Sequence, residues 1–164
     1  MARLDTGVGL LLEALEQAGK RENTLICYIG DHGAQFSRGK CGVLEASLRV
    51  PMIFQGPGVK KGHVSNALVS TLDLLPTMLA SAALKAPEGL DGQVLQPLLE
   101  GAEEGGHAVI VGYTNGAAPA LFYPQWSIRD ARYRLVYSPL HERMNRFAWC
   151  YLYQHNSHFA AGAS

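Results

Sequence analysis

Charge of one sign is missing from this sequence. Lys plus Arg and Asp plus Glu are equal at 14 each, and the formal net charge is zero. No basic footprint therefore favours nucleic acid or an anionic membrane surface. Cysteine is scarce. The three, Cys27, Cys41 and Cys150, are odd in number and widely spaced, with no C-x-x-C, which argues against a disulfide framework and against a zinc knuckle. Apolar runs stop well short of a membrane span. Met1 to Gly9 has no basic stretch leading into an apolar one, so this chain shows no secretory signal. There is no G-x-S-x-G, which leaves a small self-contained serine hydrolase without support.

What is present is ordinary for a globular protein: 164 residues, 48% hydrophobic and 17% charged, enough for one domain with a core or for a piece of something larger. Leu4, Val8, Leu11, Leu12 and Leu15 recur at helical spacing, which predicts a helix over residues 4 to 18 with Gly19 as its stop. Thr24 to Ile29 is an apolar run without alternation, the pattern of a strand in a parallel sheet covered by helices. Residues 49 to 55 predict a second strand with Pro51 near its start. Asp73 is the expected N-cap of a helix that tolerates Pro76 in its first turn.

Beyond about residue 101 the texture changes. Trp126 to Arg129 and Tyr133 to Tyr137 alternate around Asp130-Ala131-Arg132, which predicts an antiparallel hairpin. The expected architecture is α/β. Residues 1–100 would form part of a parallel sheet with flanking helices, and residues 101–164 the start of a smaller antiparallel region. Two strands of a large sheet leave faces and edges open, so self-association through the exposed sheet is expected. Asn145 to Ser164 is an aromatic tail that wants a surface to pack on.

Gly30-Asp31-His32-Gly33 follows directly on the first strand, at the carboxyl end where open α/β sheets bind ligands. Asp31 offers hard oxygens to Ca²⁺ or Mg²⁺, and His32 offers an imidazole. The triplet by itself reads more readily as a turn in which Asp31 caps and His32 faces solvent. Ser37-Arg38-Gly39-Lys40 adds cations suited to a sulfuryl or phosphoryl group, although most such pairs are solvated loops.

The longer string from Thr24 to Ile53 contains, in order, an apolar strand, Asp31-His32-Gly33, Gly39-Lys40, Glu45 and Arg49-Val50-Pro51. Val69-Ser70-Thr71-Leu72-Asp73-Leu74-Leu75-Pro76-Thr77, Leu90-Asp91-Gly92 with Leu95 to Leu99, and Arg129-Asp130-Ala131-Arg132-Tyr133-Arg134-Leu135 follow. In this order the chain resembles the sulfatase family of the alkaline-phosphatase superfamily, in particular its heparan N-sulfatase-like (N-sulfoglucosamine sulfohydrolase-like) branch, over residues 1 to about 137. The resemblance implies that Asp31 is a metal ligand, that His32 touches the metal or the substrate oxygen, and that Lys40 binds sulfate. It also implies Ca²⁺, with Mg²⁺ as the alternative, a sulfated small molecule or saccharide as substrate, and a parent protein exported from the cytoplasm.

The family's nucleophile, a formylglycine made from the Cys or Ser of C/S-x-P-x-R, has no counterpart. Cys27, Cys41 and Cys150 are followed by Tyr-Ile, Gly-Val and Tyr-Leu, and no Asp-Asp pair occurs. The expectation is a C-terminal part of a sulfatase, inactive alone because no covalent sulfate intermediate can form. The alternatives are a non-catalytic anion- or partner-binding remnant, or part of a phosphodiesterase or phosphonate hydrolase of the same superfamily.

Overall fold

The computed structural model describes residues 2–33, 39–115 and 122–143. The aromatic tail from Asn145, Gln35, Arg38 and Cys150 lie outside the described residues. Tertiary contacts divide the chain into two compact units, Met1–Tyr28 with Ile53–Gly106, and Ile29–Met52 with His107–Ser164.

In the first unit, helix α1 (Ala2–Gln17) forms where the helical periodicity predicts it. Gly19 ends it at φ +62, a left-handed turn that lets Lys20 N–H donate back to Leu15 O at 3.0 Å. No residue of α1 is buried, and Leu4, Leu10 and Leu11 are exposed. Strands β1 (Ile26–Ile29) and, later in the chain, β2 (Met52–Gln55) pair with each other. Gly30 N–H, just past β1, donates to Pro51 O, just before β2, at 3.0 Å. Gly56, just past β2, lies against Thr24 and Leu25, where an added Cβ would come within 2.4 Å of Thr24 O. The two strands therefore run in opposite directions, where the apolar run of β1 pointed to a parallel neighbour. Such a run reports cover on both faces, which favours a parallel partner without requiring one.

Asp73 organises the rest of this unit. Its carboxylate accepts from Ser70 N–H at 2.7 Å while Ser70 Oγ accepts from Leu72 N–H at 3.2 Å, a capping box around the short turn Thr71–Asp73. The other carboxylate oxygen accepts from Gln93 N–H at 2.9 Å, and the residue is fully buried. Helix α3 (Leu74–Ser81) follows with no side-chain cap from Asp73. Asp73 stands at the expected N-cap position, but its carboxylate does not cap this helix, because two backbone donors elsewhere already use it. Thr77 Oγ1 accepts from Leu95 N–H at 2.9 Å, just before helix α4 (Gln96–Leu99), whose Leu98 is buried with Leu95. Gly92 sits where an added Cβ would be 2.1 Å from Leu72 O. The two downstream motifs are therefore one interlocked structural unit.

In the second unit a three-stranded antiparallel sheet has the order β3 (Ile110–Thr114), β4 (Gln125–Arg129), β5 (Arg134–Tyr137). The hairpin read from alternation is present, with Arg129 opposite Arg134. Asp130 closes it, accepting from Arg132 N–H at 2.7 Å and from Tyr133 N–H. These two backbone donors, Tyr133 first, hold its carboxyl below the usual carboxylate range, with help from the Arg129 charge. One face of the sheet shows two exposed apolar rows, Val111–Ile128–Leu135 and Tyr113–Trp126–Tyr137. In the second row the ring centroids are 5.0 and 5.9 Å apart. The opposite face carries buried Ser127 and Gly112, the latter pressed on Leu48.

Candidate active-site loop

The loop that leaves β1 is fastened to a single helical turn, α2 (Glu45–Leu48). Gly33 N–H donates to Ser47 O at 2.9 Å, and a Cβ on Gly33 would fall 1.8 Å from Ala46 O. Only a residue without a side chain lets the two backbones approach this closely. The returning leg is held to the same turn. Gly42 lies over Ser47, where a Cβ would be 2.7 Å from Ser47 Oγ, and Val43 is 1% exposed. Both ends of the segment from Asp31 to Lys40 are thereby anchored, whatever the course of residues 34–38.

Asp31 and His32 are brought together at the exit of β1. Asp31 Oδ2 lies 3.3 Å from His32 Nε2, with the Asp31 side chain 93% exposed and that of His32 35% exposed. His32 Nδ1 is 2.7 Å from Gly33 O. A carbonyl only accepts, so in this contact Nδ1 carries the proton. A neutral ring then turns its Nε2 lone pair toward the Asp31 carboxylate. That arrangement leaves both groups able to share a cation. Lys40 stands at the far end of residues 34–38, half-buried and engaged in the fold.

As a complete metal centre these residues do not suffice. A hard divalent cation such as Ca²⁺ takes about six to eight oxygen ligands. Asp31 supplies one carboxylate and His32 a nitrogen, and among the described residues no group of three or more His, Cys, Asp or Glu converges. Burial pushes both Cys27 and Cys41 up, Cys41 against the opposing pull of the Lys40 charge, whereas a reactive cysteine needs its thiol pKa lowered.

What sequence reading missed is the support behind the loop. Arg134 reaches from β5 to donate to Val43 O at 2.9 Å, Ser127 Oγ at 3.0 Å and Glu45 Oε2 at 2.8 Å. Arg129 meets the other Glu45 oxygen at 3.0 Å, and Arg49 is 3.8 Å from it. Glu45 and the Arg129–Arg134 hairpin were visible as separate motif members. No spacing rule joins residues 89 positions apart, so their contact had no local signal.

The family model described as Sulfatase matches residues 1–84, just over half of the 164. Human N-sulphoglucosamine sulphohydrolase is 32% identical over 149 residues, covering 84% of this chain and 29% of that protein. A protein solved in complex with its substrate D-glucosamine-2-N,6-O-disulfate superimposes with a TM-score of 0.71 at 29% identity, over 80% of this chain and 28% of that one. The phosphonate monoester hydrolase of Silicibacter pomeroyi gives a TM-score of 0.69 at 27% identity, over 82% and 30%. The chain spans less than a third of the curated relatives it matches. It belongs to the sulfatase family, within the alkaline-phosphatase-like superfamily.

Proposed function

We propose that this chain forms the Asp31–His32–Lys40 wall of a sulfuric-ester or sulfamate hydrolase site that takes a sulfated saccharide, and that it carries no nucleophile of its own. The observation that carries the reading is the Asp31–His32 contact at the exit of β1, with the carboxylate open to solvent and the imidazole fixed by Gly33. In this reading Asp31 and His32 supply two ligands to a Ca²⁺ or Mg²⁺ site that other groups complete. Lys40 neutralises sulfate oxygens, as a compact cation does for a tetrahedral oxyanion. The formylglycine of the family belongs to the parent protein, since no C/S-x-P-x-R occurs in these 164 residues. The saccharide assignment follows the N-sulphoglucosamine sulphohydrolase relative and the neighbour bound to a disulfated glucosamine. The exposed apolar rows of the β3–β4–β5 sheet favour self-association of the isolated chain.

The test is hydrolysis by the purified full chain, free of host sulfatase, of an aryl sulfate and of N-sulfoglucosamine with Ca²⁺ or Mg²⁺ present. No turnover above the Asp31→Asn variant is expected. Turnover that the variant loses would show that the chain holds a nucleophile after all. A second reading, part of a phosphonate or phosphodiester hydrolase, is favoured by the likeness to the phosphonate monoester hydrolase. Binding of a phosphonate monoester in preference to inorganic sulfate would move it to the front, and a stand-alone anion-binding remnant would bind both without turnover.

A further inference from the structure

A cleft of about 490 Å³ opens in the second unit between α2 and the β4–β5 turn, lined by Glu45, Ala46, Arg129, Arg132, Tyr133 and Arg134 among others. Its charge is unbalanced. Three guanidinium groups line it against the single carboxylate of Glu45, and Arg49 approaches the same carboxylate at 3.8 Å. Asp130 is the neighbouring acid, and one of its carboxylate oxygens accepts from both Arg132 N–H and Tyr133 N–H. One Glu45 oxygen is taken by Arg134 at 2.8 Å and the other by Arg129 at 3.0 Å. Arg134 is further committed to Val43 O and Ser127 Oγ. Arg129 has one nitrogen at Glu45 and remains 28% exposed. Arg132 lies over the Tyr133 ring, 4.9 Å from its centroid, on an exposed turn. A carboxylate shared by several guanidiniums leaves N–H donors without an anion, and arginine presents such donors in a fork that suits oxyanions.

We infer that this cleft is an oxyanion-binding site in which Arg129 and Arg132 grip a sulfate-type group, Glu45 holds Arg129 and Arg134 in place, and Tyr133 forms an apolar wall. The site is separate from the Asp31–His32 pair, yet the two share a support. Ala46 lines the cleft, and its carbonyl is the atom against which Gly33 is pressed. The inference goes beyond the proposed function and stands without it, because it uses no residue of the metal and Lys40 wall.

The experiment is titration of the purified full chain at low ionic strength with inorganic sulfate and, separately, with glucuronate, by calorimetry and by the arginine side-chain N–H resonances. Four proteins are compared: wild type, Arg132→Ala, Arg129→Lys and Lys40→Ala. Arg132 makes no hydrogen bond through its guanidinium among the described contacts, so its truncation leaves the Glu45 cluster in place. Arg129→Lys keeps the charge opposite Glu45 but loses the fork. The expected result is sulfate binding that weakens about tenfold in Arg132→Ala, the worth of one charge-assisted hydrogen bond. It should weaken also in Arg129→Lys and persist in Lys40→Ala. Glucuronate binding with the same pattern widens the site to carboxylates, whereas its absence confines it to sulfate. Absence of sulfate binding overturns the inference, as does binding insensitive to Arg132. Binding lost only in Lys40→Ala overturns it too, and assigns the anion to the Asp31–Lys40 wall instead.

Discussion

Replacing Gly33 by alanine tests how the loop is held. The added methyl would lie 1.8 Å from Ala46 O, 2.8 Å from Ala46 C and 2.8 Å from Ser47 Cα. All three are backbone or backbone-attached atoms that no rotamer change can move. Relief requires the Asp31–Gly33 segment to lift off α2, breaking the Gly33 N–H to Ser47 O bond of 2.9 Å. The lost bond is worth about 1 kcal/mol and the overpacking roughly 1–3 kcal/mol, so destabilisation of about 2–4 kcal/mol is expected. Trp126 lies on β4 of the same unit, so urea unfolding followed by tryptophan fluorescence reads it. With a slope of about 2 kcal/mol/M the midpoint should fall by roughly 1–2 M. Gly30→Ala is the internal control. Its methyl would meet Pro51 Cδ at 3.0 Å, Val50 Cβ at 3.2 Å and Val50 Cγ1 at 3.5 Å, approaches that a shift of a few tenths of an ångström relieves, and its cost should be about 1 kcal/mol or less. A Gly33→Ala shift no larger than that of Gly30→Ala would refute the close-approach argument.

Two further outcomes follow from the second unit. Glu45→Gln leaves Arg134 and Arg129 side by side without their shared carboxylate, and since Glu45 is itself 42% exposed, the cost should be about 2 kcal/mol in the same assay. Combining it with Arg134→Met should cost less than the two single changes added together, because the second change removes the orphaned charge. Asp130, whose carboxyl is held below its ordinary 3.8 by the turn's backbone donors, contributes stability that is present above pH 3.8 and is lost as the pH falls through its lowered folded value. Asp130→Asn should therefore flatten the acid limb of the stability–pH profile below 3.8, and an unchanged limb would contradict the assignment.

Much of the fold was legible because its elements carry local signals. The helical spacing of Leu4 to Leu15, the glycine stop at position 19 and the alternation on either side of Asp130 each act within one turn or one hairpin. Family motifs placed Asp31 and His32 in one loop, and the structure brings their side chains into contact. Strand direction was not legible. An apolar run such as Ile26 to Ile29 carries no sign of its neighbour's direction, and its residues are half-buried to exposed beside an antiparallel one. Asp73 was read as a cap because its position allows one. Its carboxylate turns instead to Ser70 and to Gln93, 20 residues away. The Glu45–Arg134 contact and the basic cleft behind it depend on tertiary approach across most of the chain, where periodicity has no reach.

In the proposed function Asp31 and His32 form one corner of a divalent-cation site. Its most direct test is a Ca²⁺ titration of the isotopically labelled full chain, following the Asp31, His32 and Gly33 amides and the His32 ring. Weak, saturable shifts are expected at these positions, with a dissociation constant on the order of millimolar, and their disappearance in Asp31→Asn. No shift at these residues, or shifts that persist unchanged in Asp31→Asn, would contradict it.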